Sequence, residues 1–298
     1  MAKNLKDLNI GIIGAGKLGT VLARFFGKRG QLLWIADISN DARNSIKSYI
    51  SDDVNIFSSV IETDPLPDII FLTVNDSQIE NAAKAITKAK GKELESKVVI
   101  FCSGMLTLSV LNACKEAGAK TFGAHPYQTF YHSDPELLHG ISWGVEAVGE
   151  KDIIKNIIEY MGGSPYFLGK ETIEKKAAYH CSAVIASNFL TTALAFASEI
   201  AKEAKIPAVS FFPPIVETTI NNCINSIKHG EEIPLTGPLA RNDIQTIKKH
   251  FEALKDYPDL QKNYAYLTMA SAETSYRHNL LKENELHTIS KILFNFSK

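Results

Sequence analysis

The chain has 298 residues, of which 45% are hydrophobic and 22% charged, with a formal net charge of -1. This is the balance of a globular protein long enough for two domains, and it offers no electrostatic case for nucleic acid or an anionic membrane. Cys102, Cys114, Cys181 and Cys223 are spaced too widely for a CxxC pair, so no metal site or redox dithiol is expected, only buried free thiols in a reducing compartment.

The first residues, "MAKNLKDLNIGIIGAG", carry an apolar run cut by glycines and followed by Lys17, unlike a signal peptide. Later, "AVIASNFLTTALAFA" reads as too short and too polar to span a bilayer. The expectation is a cytoplasmic protein without membrane or nucleic-acid partners.

Through the first half, β-rich runs alternate with helix-compatible segments. "LNIGIIG", "QLLWIAD", "DIIFLTV", "KVVIFCS" and "KTFGAH" are the strands, and "KLGTVLARFFGKR", "DSQIENAAKAITKAK" and "LSVLNACKEAG" lie between them. Such alternation predicts βαβ units and a mostly parallel sheet. Two further strands, "ISWGVEAV" and "SPYFLG", flank one more helix. The texture then changes. Glu171 to Ile206 contains neither Gly nor Pro and predicts one long helix. A second helix is expected to start at Pro213 and Pro214 and to stop at Gly230, followed by helices over "IQTIKKHFEAL", Leu260–Leu281 and Glu285–Phe296. The predicted fold is a Rossmann-type, doubly wound, mostly parallel sheet over residues 1–169. An all-helical domain over 170–298 follows, with a cleft between the two.

"IGIIGAGKLGTVLARFF" places Gly14, Gly16 and Gly19 in a G-x-G-x-x-G between a strand and a helix, where a dinucleotide pyrophosphate is cradled by backbone N–H groups. Lys17 and Leu18 complete that turn. Asp37 lies eighteen residues past Gly19, at the end of the next strand, and suits the ribose hydroxyls of NAD; it would repel the 2′-phosphate of NADP. Ser39, Asn40 and Arg43 could still receive that phosphate, and Asp37 could instead cap the following helix. Thr73, Val74 and Asn75 end the third predicted strand, with Asp76 and Ser77 as helix caps. Cys102, Ser103 and Gly104 end the fourth, at the sheet edge where such folds bind ligands.

Taken together, "IGIIGAGKLGTVLA", "IIFLTVNDSQIE", "FCSGMLTLSVL", "HPYQTF", "YHCSAVIASNFL" and "LTGPLARND" resemble Rossmann-like NAD(P)-dependent oxidoreductases with a C-terminal helical domain of unknown function. That group is related to the ketopantoate reductases, pyrroline-5-carboxylate reductases and β-hydroxyacid dehydrogenases. The resemblance runs to about Leu254 and implies a nicotinamide cofactor, NAD or NADP, without fixing a substrate. An arginine or serine after the second strand is common in the group, whereas this chain has Asp37, which favours NAD.

Three polar sets are substrate-side candidates. In "AHPYQTF", the proline forces His125 to project from a strand end, where it can exchange a proton; Gln128 and Thr129 follow. The bland alternative is a rigid turn. Lys176 and His180 are four apart on one helix face, with Ser187 and Asn188 further along. They resemble the Lys-x-x-x-Asn pair of the β-hydroxyacid dehydrogenases, with His180 in place of Asn. That resemblance implies a cation or base at the carbonyl; the alternative is a solvated Lys176. His180 and Asn188, flanked by Ala and Val, are expected to be buried. In "PLTGPLARND", Thr236 and Arg241 could bind a substrate carboxylate, or Asp243 could cap the next helix and pair with Arg241.

The function expected is hydride transfer to or from a small carbonyl or hydroxy compound, a keto or hydroxy acid being one such class, with His180, Lys176 and His125 as catalytic candidates. The alternatives are a non-catalytic dinucleotide sensor or scaffold and a ketopantoate-reductase-like enzyme. Apolar residues on several faces of the long helix also predict a homodimer built on the helical domain.

Overall fold

Residues 4–294 are described in the computed structural model. The β-rich runs form one eight-stranded sheet in the order β3-β2-β1-β4-β5-β6-β7-β8. The strands are β1 (Ile10–Ile13), β2 (Leu32–Ala36), β3 (Asn55–Phe57), β4 (Ile69–Leu72), β5 (Val98–Phe101), β6 (Lys120–Pro126), β7 (Ser142–Ala147) and β8 (Ser164–Phe167). Every pair is parallel except β6 with β7, which run antiparallel. The short β3 escaped the sequence reading because it has only three residues and Asn55 is exposed.

The helices of this part are α1 (Lys17–Gly27), α2 (Asn40–Ile46), α3 (Asp76–Lys90), α4 (Asn112–Glu116), α5 (Lys151–Tyr160), α6 (Lys170–Glu174) and α7 (Lys176–Val184). Alternate strand residues feed two apolar layers, as a sheet covered on both faces requires. Ile10, Ile12, Phe71 and Ile100 join Val21 and Phe25 of α1 and Ile154 of α5. Ile13, Leu72, Val99 and Phe101 join Ile79 and Ile86 of α3. The doubly wound sheet followed by helices is therefore the fold the sequence pattern predicts.

The chain divides into two compact units, Met1–Asn188 and Phe189–Lys298. The second contains α8 (Leu190–Glu203), α9 (Ala208–His229), α10 (Ile244–Ala253), α11 (Pro258–Arg277) and α12 (Glu283–Phe294). Its core joins Ile247, Phe251, Ala265, Ala272, Ile289 and Leu293. The expected end of the last helix, Phe296, lies outside the described residues.

Several helix expectations are corrected. The single helix from Glu171 to Ile206 is interrupted: Lys175, at φ -108° and ψ 29°, separates α6 from α7, and Ile185–Phe189 form a π turn before α8. The run Lys176–Glu203 still spans 28 residues and is long and apolar enough, by length and composition only, to cross a membrane. The sequence reading stopped at its most apolar fifteen residues and so judged it too short. Helix α9 begins five residues before Pro213, because Ser210 N and Phe211 N donate to Pro207 O and close the first turn upstream. Pro213 and Pro214 therefore sit inside the helix. Cys181 and Cys223 are exposed rather than buried.

Candidate functional site

The glycine turn is built by close approach. Gly14 has φ +107°, a conformation that costs L side chains dearly. A Cβ on Gly19 would lie 1.9 Å from Gly14 O, so α1 can pack on β1 only without one. Thr73 Oγ1 donates to Gly14 O at 2.7 Å and joins the turn to the end of β4. Gly16 differs from both: a Cβ there would meet no atom within 4 Å. Its missing side chain faces open space, as a phosphate-binding backbone needs. Of the neighbouring turn residues, Lys17 is exposed and donates from Nζ to Tyr131 O at 3.1 Å, whereas Leu18 packs against the core.

Asp37 closes the turn from the β2 side. Its Oδ2 accepts from Ala15 N at 2.7 Å and its Oδ1 from Ser39 N at 2.8 Å. Ser39, not Asp37, caps α2, through an oxygen that accepts from Ala42 N. Arg43 donates to Asp37 O and Asn40 Oδ1, so its guanidinium is held by the loop. A cavity of about 550 Å³ opens here, lined among others by Gly14, Gly16, Asp37, Val74 and Asn75. It lies at the carboxyl edge of β1, β2 and β4, where the strand order reverses, the ligand position of doubly wound sheets. Asn75 is the N-cap residue of α3, with no side-chain cap bond; Asp76 and Ser77, expected there, fall inside the helix. The open glycine, the turn amides and the acceptor carboxylate fit a dinucleotide.

Ser103 and Gly104 lie beyond that cavity, after β5. Ser103 donates from Oγ to Asp76 Oδ2 at 2.8 Å and accepts from Met105 N and Leu106 N, so its hydroxyl staples the loop. Gly104 is where the two histidines meet. A Cβ on it would lie 2.8 Å from His180 Cδ2 and 2.9 Å from His125 Cε1. The two imidazole centroids are 5.9 Å apart. His125 projects from the end of β6, as its proline neighbour dictates, and His180 comes from α7; both are half-buried. Burial, with His180 and then Lys176 nearby, pushes the His125 imidazole down to about 4. It is thus neutral throughout the physiological range.

Lys176 is buried at 5% exposure, not solvated. Its Nζ lies 2.8 Å from Glu146 Oε2 and also donates to Leu106 O. The other oxygen, Glu146 Oε1, accepts from Leu108 N at 3.1 Å. The ammonium expected at a substrate carbonyl is therefore committed to a protein carboxylate. Sequence reasoning missed Glu146, although a lone carboxylate within "ISWGVEAV" is the mark of a buried partner. It also missed Tyr127 and Tyr179, whose rings pack 5.3 Å apart beside His125.

The remaining candidates have surroundings of their own. Gln128 is exposed and accepts from Thr129 N at 2.8 Å. Asn188, expected to be buried, is exposed within the π turn. Thr236 and Arg241 are exposed in the second unit. Asp243 there caps α10, accepting from Thr246 N at 3.1 Å and Thr246 Oγ1 at 2.7 Å. Bonds from Thr246 and the nearby Arg241 hold its carboxyl below the usual range.

Residues 3–126 match the Rossmann-like domain, and residues 141–271 match a domain of unknown function (DUF2520). No curated protein matches the chain. Among solved structures, a candidate NADP oxidoreductase from Bacteroides fragilis is 22% identical, with 91% of this chain and 100% of that chain covered and a TM-score of 0.73. An imine reductase from Myxococcus stipitatus in complex with NADP+ is 11% identical, over 97% and 100%, with a TM-score of 0.59. The Plasmodium falciparum pyrroline carboxylate reductase with NADP bound is 16% identical, over 99% and 100%, at 0.52. At these identities the likeness is one of fold.

Two outcomes follow from the buried groups. Lys176→Met strands the Glu146 carboxylate and should destabilise the chain by about 3–5 kcal/mol, and Lys176→Met with Glu146→Gln should recover most of that loss. Urea unfolding of the two variants checks this; equal losses would refute the pairing. For His125, the folded form binds its proton more weakly than the unfolded form. Stability is therefore fully present above pH 6.5 and falls as pH drops toward about 4, by on the order of 3 kcal/mol. His125→Gln should flatten the stability curve across that window.

Proposed function

We propose that this protein is a nicotinamide-dinucleotide-dependent oxidoreductase acting on a small carbonyl or hydroxy compound. The observation that carries the reading is the open Gly16 beside the Asp37 carboxylate and the cavity of about 550 Å³. The amides of the Gly14–Gly19 turn would hold the phosphates, and Asp37 would accept from the ribose hydroxyls. When bound, the dinucleotide supplies or takes the hydride. His125 and His180, converging on Gly104, orient the substrate oxygen and exchange hydrogen bonds with it. Lys176 serves this pair indirectly, by fixing the start of α7.

NAD is the better cofactor in this reading. The reductases from Myxococcus and Plasmodium hold NADP, but a carboxylate at Asp37 would face the 2′-phosphate. Arg43 of α2 is tied to Asp37 O and Asn40. Calorimetric titration should show NAD bound more tightly than NADP by roughly 1–3 kcal/mol, the scale of hydrogen bonds to a charged group. Gly16→Val should lose both ligands while keeping its circular dichroism, since its Cβ meets no protein atom. Undiminished binding by a folded Gly16→Val would overturn the cofactor assignment.

The assembly proposed is a homodimer through the helical unit. No residue of α9 is buried, and Val209, Phe211, Ile215 and Ile227 are all at least 60% exposed. Phe189 and Leu190, at the start of α8, add to that apolar surface. Patches of this kind mark interfaces in folded proteins. Light scattering at micromolar concentration should return twice the 32.8 kDa chain mass, and Phe211→Glu with Ile215→Glu should return the monomer.

A further inference from the structure

The hydroxyl of Tyr179 occupies an unusual place. In the antiparallel ladder His125 faces Gly144 directly. A Cβ on Gly144 would lie 2.3 Å from Tyr179 Oη. The phenol therefore fills the space that any other residue would take, immediately across from His125. Its Oη is 2.9 Å from His125 Nδ1, and the two rings meet edge-on at 5.6 Å. Tyr127 packs against both rings, 5.3 Å from Tyr179 and 6.1 Å from His125, and its own hydroxyl is engaged elsewhere. Ser182 Oγ donates to Tyr179 O at 2.7 Å, which leaves it to accept from Tyr127 Oη at 2.6 Å.

These contacts decide who donates. Among the described residues, His125 Nδ1 is the hydrogen-bond partner of Tyr179 Oη. If Nδ1 carried the proton and donated, the half-buried phenol O–H would be left without a protein acceptor. If the phenol donates, both groups are satisfied. We propose that Tyr179 is a positioning residue that holds His125 as a single tautomer, with Nδ1 accepting from the phenol and Nε2 carrying the proton. His125 is then a hydrogen-bond donor of fixed orientation at Nε2, which no protein group occupies among the described residues.

The groups facing this pair agree with the assignment. Burial, with Tyr127 second, pushes the Tyr179 phenol up to about 12, so it keeps its proton. Burial lowers His125, and His180 on α7 and the Lys176–Glu146 pair lie around it, so the ring carries one proton rather than two.

The catalytic meaning of this inference rests on the oxidoreductase reading, but its test needs no cofactor. Long-range proton–nitrogen NMR of histidine-labelled protein reports each ring nitrogen, with His125→Gln providing the assignment. In the wild type, His125 should show the Nε2–H pattern, unchanged from pH 8 to pH 5. Tyr179→Phe keeps the ring in its slot and removes only the donor; its His125 signals should move to values averaged between the two tautomers. Gly144→Ala, which displaces the phenol, should give the same averaging. An Nδ1–H pattern in the wild type, or one that Tyr179→Phe leaves unchanged, overturns the proposal. Failure of dinucleotide binding in the titrations above would leave these spectra intact, so the two readings fail separately.

Discussion

A buried ion pair sets the geometry of the histidine cluster. Glu146 stands in the interior of β7 and Lys176 at the first position of α7, and neither charge is open to water. Removing either charge from water is costly, so the two must meet in good geometry and fill their remaining bonds locally. Their polar atoms lie 2.8 Å apart, and the loop after β5 supplies further bonds, with Leu106 O accepting from Lys176 and Leu108 N donating to Glu146. Ser103 pins the other end of that loop to Asp76. Gly104 is consequently held from both sides. Because Lys176 begins its helix, fixing it also fixes Tyr179 and His180 one turn later, on the side where β6 ends in His125. Sheet, loop and helix are thus brought into register by one pair of charges.

The parts of the fold that depend on local chemistry were legible in the sequence. Strand runs, the glycine turn and the extended geometry before Pro126 follow from backbone constraints within a few residues. Asp37 was visible for the same reason, since its distance from the turn is set by one helix and one strand. What was not legible depends on partners distant in sequence. Lys176 looked like a solvated or catalytic lysine until Glu146, thirty residues away, was placed against it. Tyr179 was passed over because only the tertiary ladder reveals that Gly144 leaves room for its hydroxyl. The break at Lys175 and the π turn at Ile185–Phe189 carry no Gly or Pro, so composition gave no signal for them.

The first unit separates its binding features into two groups with different physics. At the reversal of strand order, backbone amides and one carboxylate surround a cavity, and the side chains there are mostly small. That arrangement suits a ligand recognised by its phosphates and sugar, and it depends little on protonation. At the ends of β5 and β6, by contrast, the polar groups are imidazoles, phenols and a serine, and any recognition there would depend on which atoms carry protons. Changes in the second group should leave the first nearly untouched, because no side chain is shared between them. The link between them is the loop from Cys102 to Leu108 and the start of α3, which Ser103 and Asp76 join.

This separation bears on how a proton could be handled in the proposed reaction. A histidine that is neutral down to about pH 4 is a poor proton reservoir at neutral pH, because its conjugate acid is barely populated. It is well suited to a different task. Held by Tyr179 against the gap at Gly144, it offers a donor whose direction and charge do not vary with the medium, so stabilising developing negative charge on an oxygen requires little rearrangement. Net proton transfer would then need another group, and His180 is the side chain that shares Gly104 with it. Two imidazoles in contact with one glycine would otherwise be redundant. Their different surroundings, one bonded to a half-buried phenol and the other without such a bond among the described residues, would give them different work.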